Sequence, residues 1–88
     1  DGLYAAAGPA LREALGNWRG KVLRVQSGRR WTMVTIRDAC WCIDRRGRPT
    51  LLDLSPAAMA ALEPDYVHLG IIAVSIELPT GELPETDQ

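Results

Sequence analysis

Asp38 and Asp53 are the two acids whose surroundings set them apart in this 88-residue chain. Asp38 closes the run Trp31-Thr32-Met33-Val34-Thr35-Ile36-Arg37-Asp38, where Thr32, Val34, Ile36 and Asp38 share one face of a period-two strand. Val34 and Ile36 belong in a core, so the alternation predicts that Asp38 turns the same way at the strand's end. Partial burial disfavours the ionised carboxyl, which is what a general acid requires near neutral pH. Asp53 stands just before Leu54 and the helix start Ser55-Pro56, where a carboxylate orders a turn as readily as it does chemistry. If hydrolysis with two carboxylates is the chemistry, the pair must lie roughly 5–9.5 Å apart. Asp38 would therefore need Asp44 or Asp53 brought to it by the fold.

Other reactive residue types carry weaker signals. Trp41, three residues after Asp38, could present a flat apolar face to a ligand; Trp18 and Trp31 read more simply as packing at a core edge or hairpin. Tyr66 and His68 fit packing better than reaction. Cys40 and Cys42 are the only cysteines, and His68 is the only histidine. Two thiols are too few for a structural zinc site, and no cofactor is implied. A bridge between cysteines two apart fits an extended chain badly. The expectation is therefore free buried thiols, or pairing with cysteines outside this chain.

The elements that must position these residues follow from local signals. Pro9 opens and Gly16 stops a short helix through Leu11 and Leu15. Lys21 to Gln26 reads as a strand, Ser27-Gly28-Arg29-Arg30 as a hairpin turn, and Trp31 to Asp38 as the second strand. Ala39 to Pro49 is a loop containing the turn Asp44-Arg45-Arg46-Gly47. Thr50 to Leu54 is a short strand. Ser55 caps a helix with Pro56 at its first position, ending near Leu62, and Leu54 and Met59 have the spacing of a hydrophobic staple. Asp65 to Gly70 is a turn, and Ile71 to Leu78 a last strand with Ile72, Val74, Ile76 and Leu78 on one face. Pro79 to Gln88 reads as an acidic, proline-containing tail or linker.

At 47% hydrophobic and 24% charged residues the composition is that of one small globular domain. No apolar run approaches the roughly 20 residues of a membrane span. The start Asp1-Gly2-Leu3-Tyr4, without a Met or a basic n-region, is what a processed product or excised domain would show. The net charge of −1 hides an asymmetry: residues 19–48 carry +7 and residues 49–88 carry −7. The arginines could face carboxylates or phosphates of a polymer, but no nucleic-acid motif accompanies them, and two halves folded against each other would cancel.

Taken in order, Val34-Thr35-Ile36-Arg37-Asp38-Ala39-Cys40 and Asp53-Leu54-Ser55-Pro56-Ala57-Ala58, followed by Gly70 and a β-branched strand, resemble the double-psi β-barrel of rare lipoprotein A, expansins and barwin-like proteins. The resemblance covers Val22 to Leu78, with a weaker match back through Gly20 and Ala5-Ala6-Ala7. It implies a mainly β fold with short helices: a six-stranded double-psi β-barrel over residues 1–78, its first strand absent or reduced to Leu3-Tyr4. An upstream segment or neighbouring chain would then complete the barrel. It further implies an extracellular, periplasmic or virion-associated module that binds peptidoglycan or a related cell-wall polysaccharide, with no membrane partner. In it Asp38 would be the general acid/base of a lytic-transglycosylase-like reaction, and Arg37, Trp41 and Asp53 would contact substrate. The alternative is a non-catalytic structural barrel in a larger assembly such as a phage tail. Two departures stand out. The histidine expected after Ala-Ala is replaced by Ala7 or Gly8, and the Asn-Asp-Arg-Gly-Pro context by Arg37-Asp38-Ala39-Cys40-Trp41.

Overall fold

The computed structural model describes residues 2–44, 46–70 and 72–77. These form a mainly β fold, a curled half-barrel sheet of five strands with short helices. In chain order the elements are β1 (Tyr4–Ala7), α1 (Pro9–Leu15), β2 (Val22–Ser27), β3 (Arg30–Ala39), β4 (Leu52–Leu54), α2 (Pro56–Leu62), α3 (Tyr66–Leu69) and β5 (Ser75–Glu77). The sheet order is β4-β1-β3-β2-β5, with β1 parallel to β3 and the other pairs antiparallel.

The β2–β3 hairpin forms where the sequence places it. Gly28 takes the positive φ that its turn needs, 60°, and residues pair in register from Ser27↔Arg30 to Val22↔Thr35. Leu23 and Val25 from β2 and Thr32, Val34 and Ile36 from β3 point inward and are buried. Leu11 of α1 and Ala58 and Leu62 of α2 close over them. α1 ends at Gly16, which has φ 72° and donates its N–H to the Arg12 carbonyl (3.0 Å).

Four elements differ from the sequence reading. A strand occupies Tyr4–Ala7, where none was expected beyond a remnant at Leu3-Tyr4. Alanine has weak strand propensity, but here β1 lies between two other strands, and the buried Ala5 and Ala7 leave room for the facing helices. The turn expected over Asp65 to Gly70 contains the one-turn helix α3, because the Asp65 carbonyl accepts from His68 N (3.1 Å) and Leu69 N (3.2 Å). The last strand is shorter than Ile71–Leu78. Only Ser75–Glu77 pairs with β2, although Ile72, Val74 and Ile76 pack against the core as their alternation requires. Ile71, Leu78 and the tail Pro79 to Gln88 lie outside the described residues, as does Arg45 of the Asp44–Gly47 turn.

The fourth difference concerns the cysteines. Cys40 and Cys42 are joined to each other by a disulfide. The chain is not extended there: the two Cα atoms are 5.1 Å apart, inside the range a bridge tolerates. The bend is held from both sides, by Cys40 N to the Ala7 carbonyl (2.9 Å) and Thr50 N to the Cys42 carbonyl (2.9 Å).

Ser55 ties these parts together. It is buried, and its hydroxyl donates to the Gly2 carbonyl and accepts from Tyr4 N (3.2 Å) and Ala58 N (3.3 Å). Its own N–H donates to the Tyr4 carbonyl (2.9 Å). One residue thus caps α2 and anchors the start of β1. Ser55→Ala is expected to cost about 1–2 kcal/mol, a cap loss with buried donors left unpaired, and to lower the thermal midpoint by about 4–8 °C per kcal/mol. An unchanged melting curve would show that the hydroxyl is dispensable.

Candidate functional site

The register of β1 decides where the two acids go. In the parallel β1–β3 ladder Ala5 faces Ile36, but Ala6 faces Asp38, so Arg37 is an extra residue on β3. This bulge interrupts the inward alternation after Ile36. Asp38, expected to face the core, is exposed instead, and its Oδ1 accepts from the adjacent Ala39 N–H (2.8 Å). The half-buried acid that the alternation predicts is therefore absent. On the other side of β1, the antiparallel β1–β4 ladder sets Ala6 opposite Asp53.

Ala6 is accordingly flanked by Asp38 on one strand and Asp53 on the other. Directly paired residues project to the same side of a sheet, and both acids line one open groove of about 490 Å³ with Tyr4, Ala6, Arg37 and Pro56. Two interstrand spacings separate their Cα atoms, about 10 Å. The alanine between them adds no bulk above the sheet. Asp53 is exposed and does not accept the cap bonds of α2, which go to Ser55.

Arg37, the bulge residue, stacks its guanidinium 4.8 Å above the Tyr4 ring, and its carbonyl accepts from Arg19 Nη1 (2.6 Å). Trp41 is 82% exposed, between the bridged cysteines. It stands at the rim of a second cleft of about 600 Å³, lined mainly by apolar side chains including Leu52, Met59 and Ile72, with Asp53 shared between cleft and groove. Leu54 and Met59 both line this cleft. The Arg12 guanidinium lies 5.4 Å from the Trp41 ring, and Arg12 Nε is buried with no hydrogen-bond partner among the described residues. The structure thus brings Asp38, Asp53 and Arg37 to one groove and sets Trp41 on the adjoining cleft.

The remaining candidates have other roles. Trp18 packs at the core edge, as expected, with Arg19 4.6 Å over its ring. Trp31 is half exposed beneath Arg24, at 4.2 Å. His68 is exposed and its Nδ1 lies 2.7 Å from Asp65 Oδ1. Asp44 organises its own turn: Oδ1 accepts from Arg46 N (2.8 Å) and Arg48 N (2.9 Å), and Oδ2 meets Arg48 Nε at 3.1 Å. Among the described residues no three potential ligands cluster to hold a metal ion. The missing histidine has a structural counterpart. Ala7 is fully buried, and a Cβ on Gly8 would sit 2.6 Å from the Thr50 carbonyl oxygen and 2.9 Å from that of Leu51. Tyr4 and Arg12 escaped the sequence reading. Tyr4 becomes legible once Tyr4–Ala7 is known to be a strand, because it then shares the face of Ala6; no local signal marks Arg12.

Comparison with protein-family models, with curated proteins and with solved structures finds no match.

Two predictions follow from this geometry. Gly8→Ala forces apart the Gly8–Thr50 approach and should destabilise the fold by about 1–3 kcal/mol, read by urea denaturation; wild-type stability would contradict the close contact. The Arg48 backbone N–H bonded to the Asp44 carboxylate, aided by the Arg46 N–H and the Arg48 guanidinium, holds Asp44 below its ordinary value of 3.8. A depressed folded-state value stabilises above the unfolded value and is lost as pH falls through the folded one. Stability of the Asp44 turn should therefore persist through pH 4 and fade below it. Asp44→Ala should flatten that acid limb in pH-dependent unfolding, and an unaltered limb would refute the assignment.

Proposed function

We propose that this chain is a double-psi-β-barrel-type module that binds a cell-wall glycan of the peptidoglycan kind, with the sugar chain seated between Asp38 and Asp53. The observation that carries the reading is the double pairing of Ala6, which puts two carboxylates on one face across a single small residue. Their Cα separation of about 10 Å lets the carboxyl groups fall within the roughly 5–9.5 Å that glycosidic chemistry uses. Trp41 offers a flat apolar surface beside the groove, and Arg37 a cation at its edge. In the catalytic form of this reading Asp38 gives its proton to the glycosidic oxygen as the C–O bond breaks. The resulting carboxylate takes a proton from the hydroxyl that attacks the sugar carbon, while Asp53 stabilises the positive charge between these steps. The exposure of Asp38 and the absence of a histidine at Ala7 and Gly8 favour recognition over cleavage.

A second reading draws support from the sheet. Among the described residues β4 and β5 are edge strands of an unclosed half-barrel, which suits a structural barrel completed by a neighbour in a larger extracellular assembly, a phage tail or virion component among them. The discriminating experiment is retention on insoluble peptidoglycan with a parallel turbidity assay. Recognition predicts retention that survives Asp38→Asn and drops about tenfold in Trp41→Ala, a loss of about 1.4 kcal/mol. Cleavage adds clearing that Asp38→Asn abolishes. No retention at low salt, with a solution mass above that of one chain, would replace the glycan reading with the structural one.

A further inference from the structure

The face of the sheet that bears Asp38 and Asp53 continues past them. Alternation puts Tyr4 and Ala6 of β1, Val22, Arg24 and Gln26 of β2, and Trp31, Met33 and Thr35 of β3 on this outer side, opposite the buried Leu23, Val25, Val34 and Ile36. It stays open: Tyr4, Val22, Trp31 and Met33 are all more than a third exposed. From Trp31 to Arg37 it runs about 20 Å along β3.

Two arginines on this face are held flat. Arg24 lies 4.2 Å over Trp31 and Arg37 lies 4.8 Å over Tyr4. Stacking fixes the guanidinium plane and leaves its N–H edge for bidentate contact with an oxyanion. Arg24 already receives a carboxylate, Glu77, at 3.6 Å, in an ion pair whose acid is 74% exposed and so exchangeable. At the hairpin tip Arg29 is exposed and has no ion-pair partner among the described residues, while Arg30 has the parity of Thr32 and Val34 and belongs to the opposite face. The face is therefore polar in charge, with two acids at the groove end and stacked or free arginines towards the tip.

We infer that this outer β2–β3 face is a binding track for a linear glycan that carries carboxylates, entering beside Arg37 and Tyr4, passing Arg24 and running to Arg29 at the hairpin tip. The arginine stacks favour a carboxylate-bearing glycan over nucleic acid. A guanidinium occupies one ring face at both Trp31 and Tyr4, which reduces the aromatic surface open to stacked bases. What remains available is a row of oriented donors, which read carboxylates spaced along a chain. The track extends the proposed glycan groove but does not require that the polymer come from a cell wall.

The test titrates the full chain at low salt with polygalacturonate, with its fully methyl-esterified neutral form, and with a short single-stranded DNA, alongside the peptidoglycan retention above. The track predicts that polygalacturonate binds at least tenfold tighter than its ester. The double variant Arg24→Gln, Arg29→Gln should lose at least tenfold and show a shallower dependence on salt. The exposed Arg29→Gln alone, which leaves the Trp31 stack and the Glu77 contact intact, should lose part of that. Equal binding of polygalacturonate and ester, tighter binding of DNA, or wild-type affinity in both variants overturns the inference. Polygalacturonate binding without peptidoglycan retention would keep the track and remove the cell-wall reading. Retention on peptidoglycan without discrimination between polygalacturonate and ester would do the reverse.

Discussion

The fold depends on a four-residue strand whose last three residues are alanines. β1 is the one strand that pairs with both β3 and β4, and it joins the hairpin half of the sheet to the segment that leads into α2. Backbone hydrogen bonds can hold such a strand only if its ends are fixed and nothing bulky intrudes. The Ser55 hydroxyl and amide fix one end through Gly2 and Tyr4, and the Gly8 amide fixes the other through the Leu51 carbonyl (2.9 Å). The inward methyls of Ala5 and Ala7 then leave space for Leu11, Ala58 and Leu62. A larger residue at either position would push the helices from the sheet, since interiors this tightly packed do not absorb added volume.

The same strand creates the candidate site. An alanine between two aspartates brings the acids together by ladder register rather than by sequence proximity, since fifteen positions separate Asp38 from Asp53. The bulge at Arg37 completes the arrangement. Without the extra residue Asp38 would follow Ile36 inward; with it, the carboxylate turns out to the groove and the Arg37 guanidinium stacks on Tyr4. Bulges that re-aim a side chain beside a functional groove are a recurrent device. The Cys40–Cys42 bridge acts on the adjoining segment, bending the chain so that Trp41 faces solvent at the cleft rim.

Among the described residues, arginines stack on aromatic rings as well as pair with acids. The basic segment 19–48 and the acidic segment that follows meet in the Arg24–Glu77 ion pair, while the Arg48–Asp44 pair lies within the basic segment itself. Four arginines instead lie over aromatic rings: Arg12 on Trp41, Arg19 on Trp18, Arg24 on Trp31 and Arg37 on Tyr4. A guanidinium over a ring keeps its charge and its hydrogen-bonding edge while covering apolar surface, and two of these stacks, Arg24 on Trp31 and Arg37 on Tyr4, share the outer face of the sheet.

Local interactions were legible in the residues themselves. The Pro9 and Gly16 boundaries of α1, the Gly28 hairpin, the inward Val34 and Ile36, and the Ser55 cap with Pro56 behind it each follow from backbone preference or period within a few positions. The identity of the two acids was legible too, but not their relation. The register of β1 against β3 and β4, the outward turn of Asp38 and the closing of Cys40 on Cys42 were settled by segments far apart in the chain. Ala5-Ala6-Ala7 becomes a strand only because two neighbours supply its hydrogen bonds. Asp38 faces the groove only because the parallel ladder admits one extra residue, and no propensity or periodicity along a single segment encodes where a partner strand will slip.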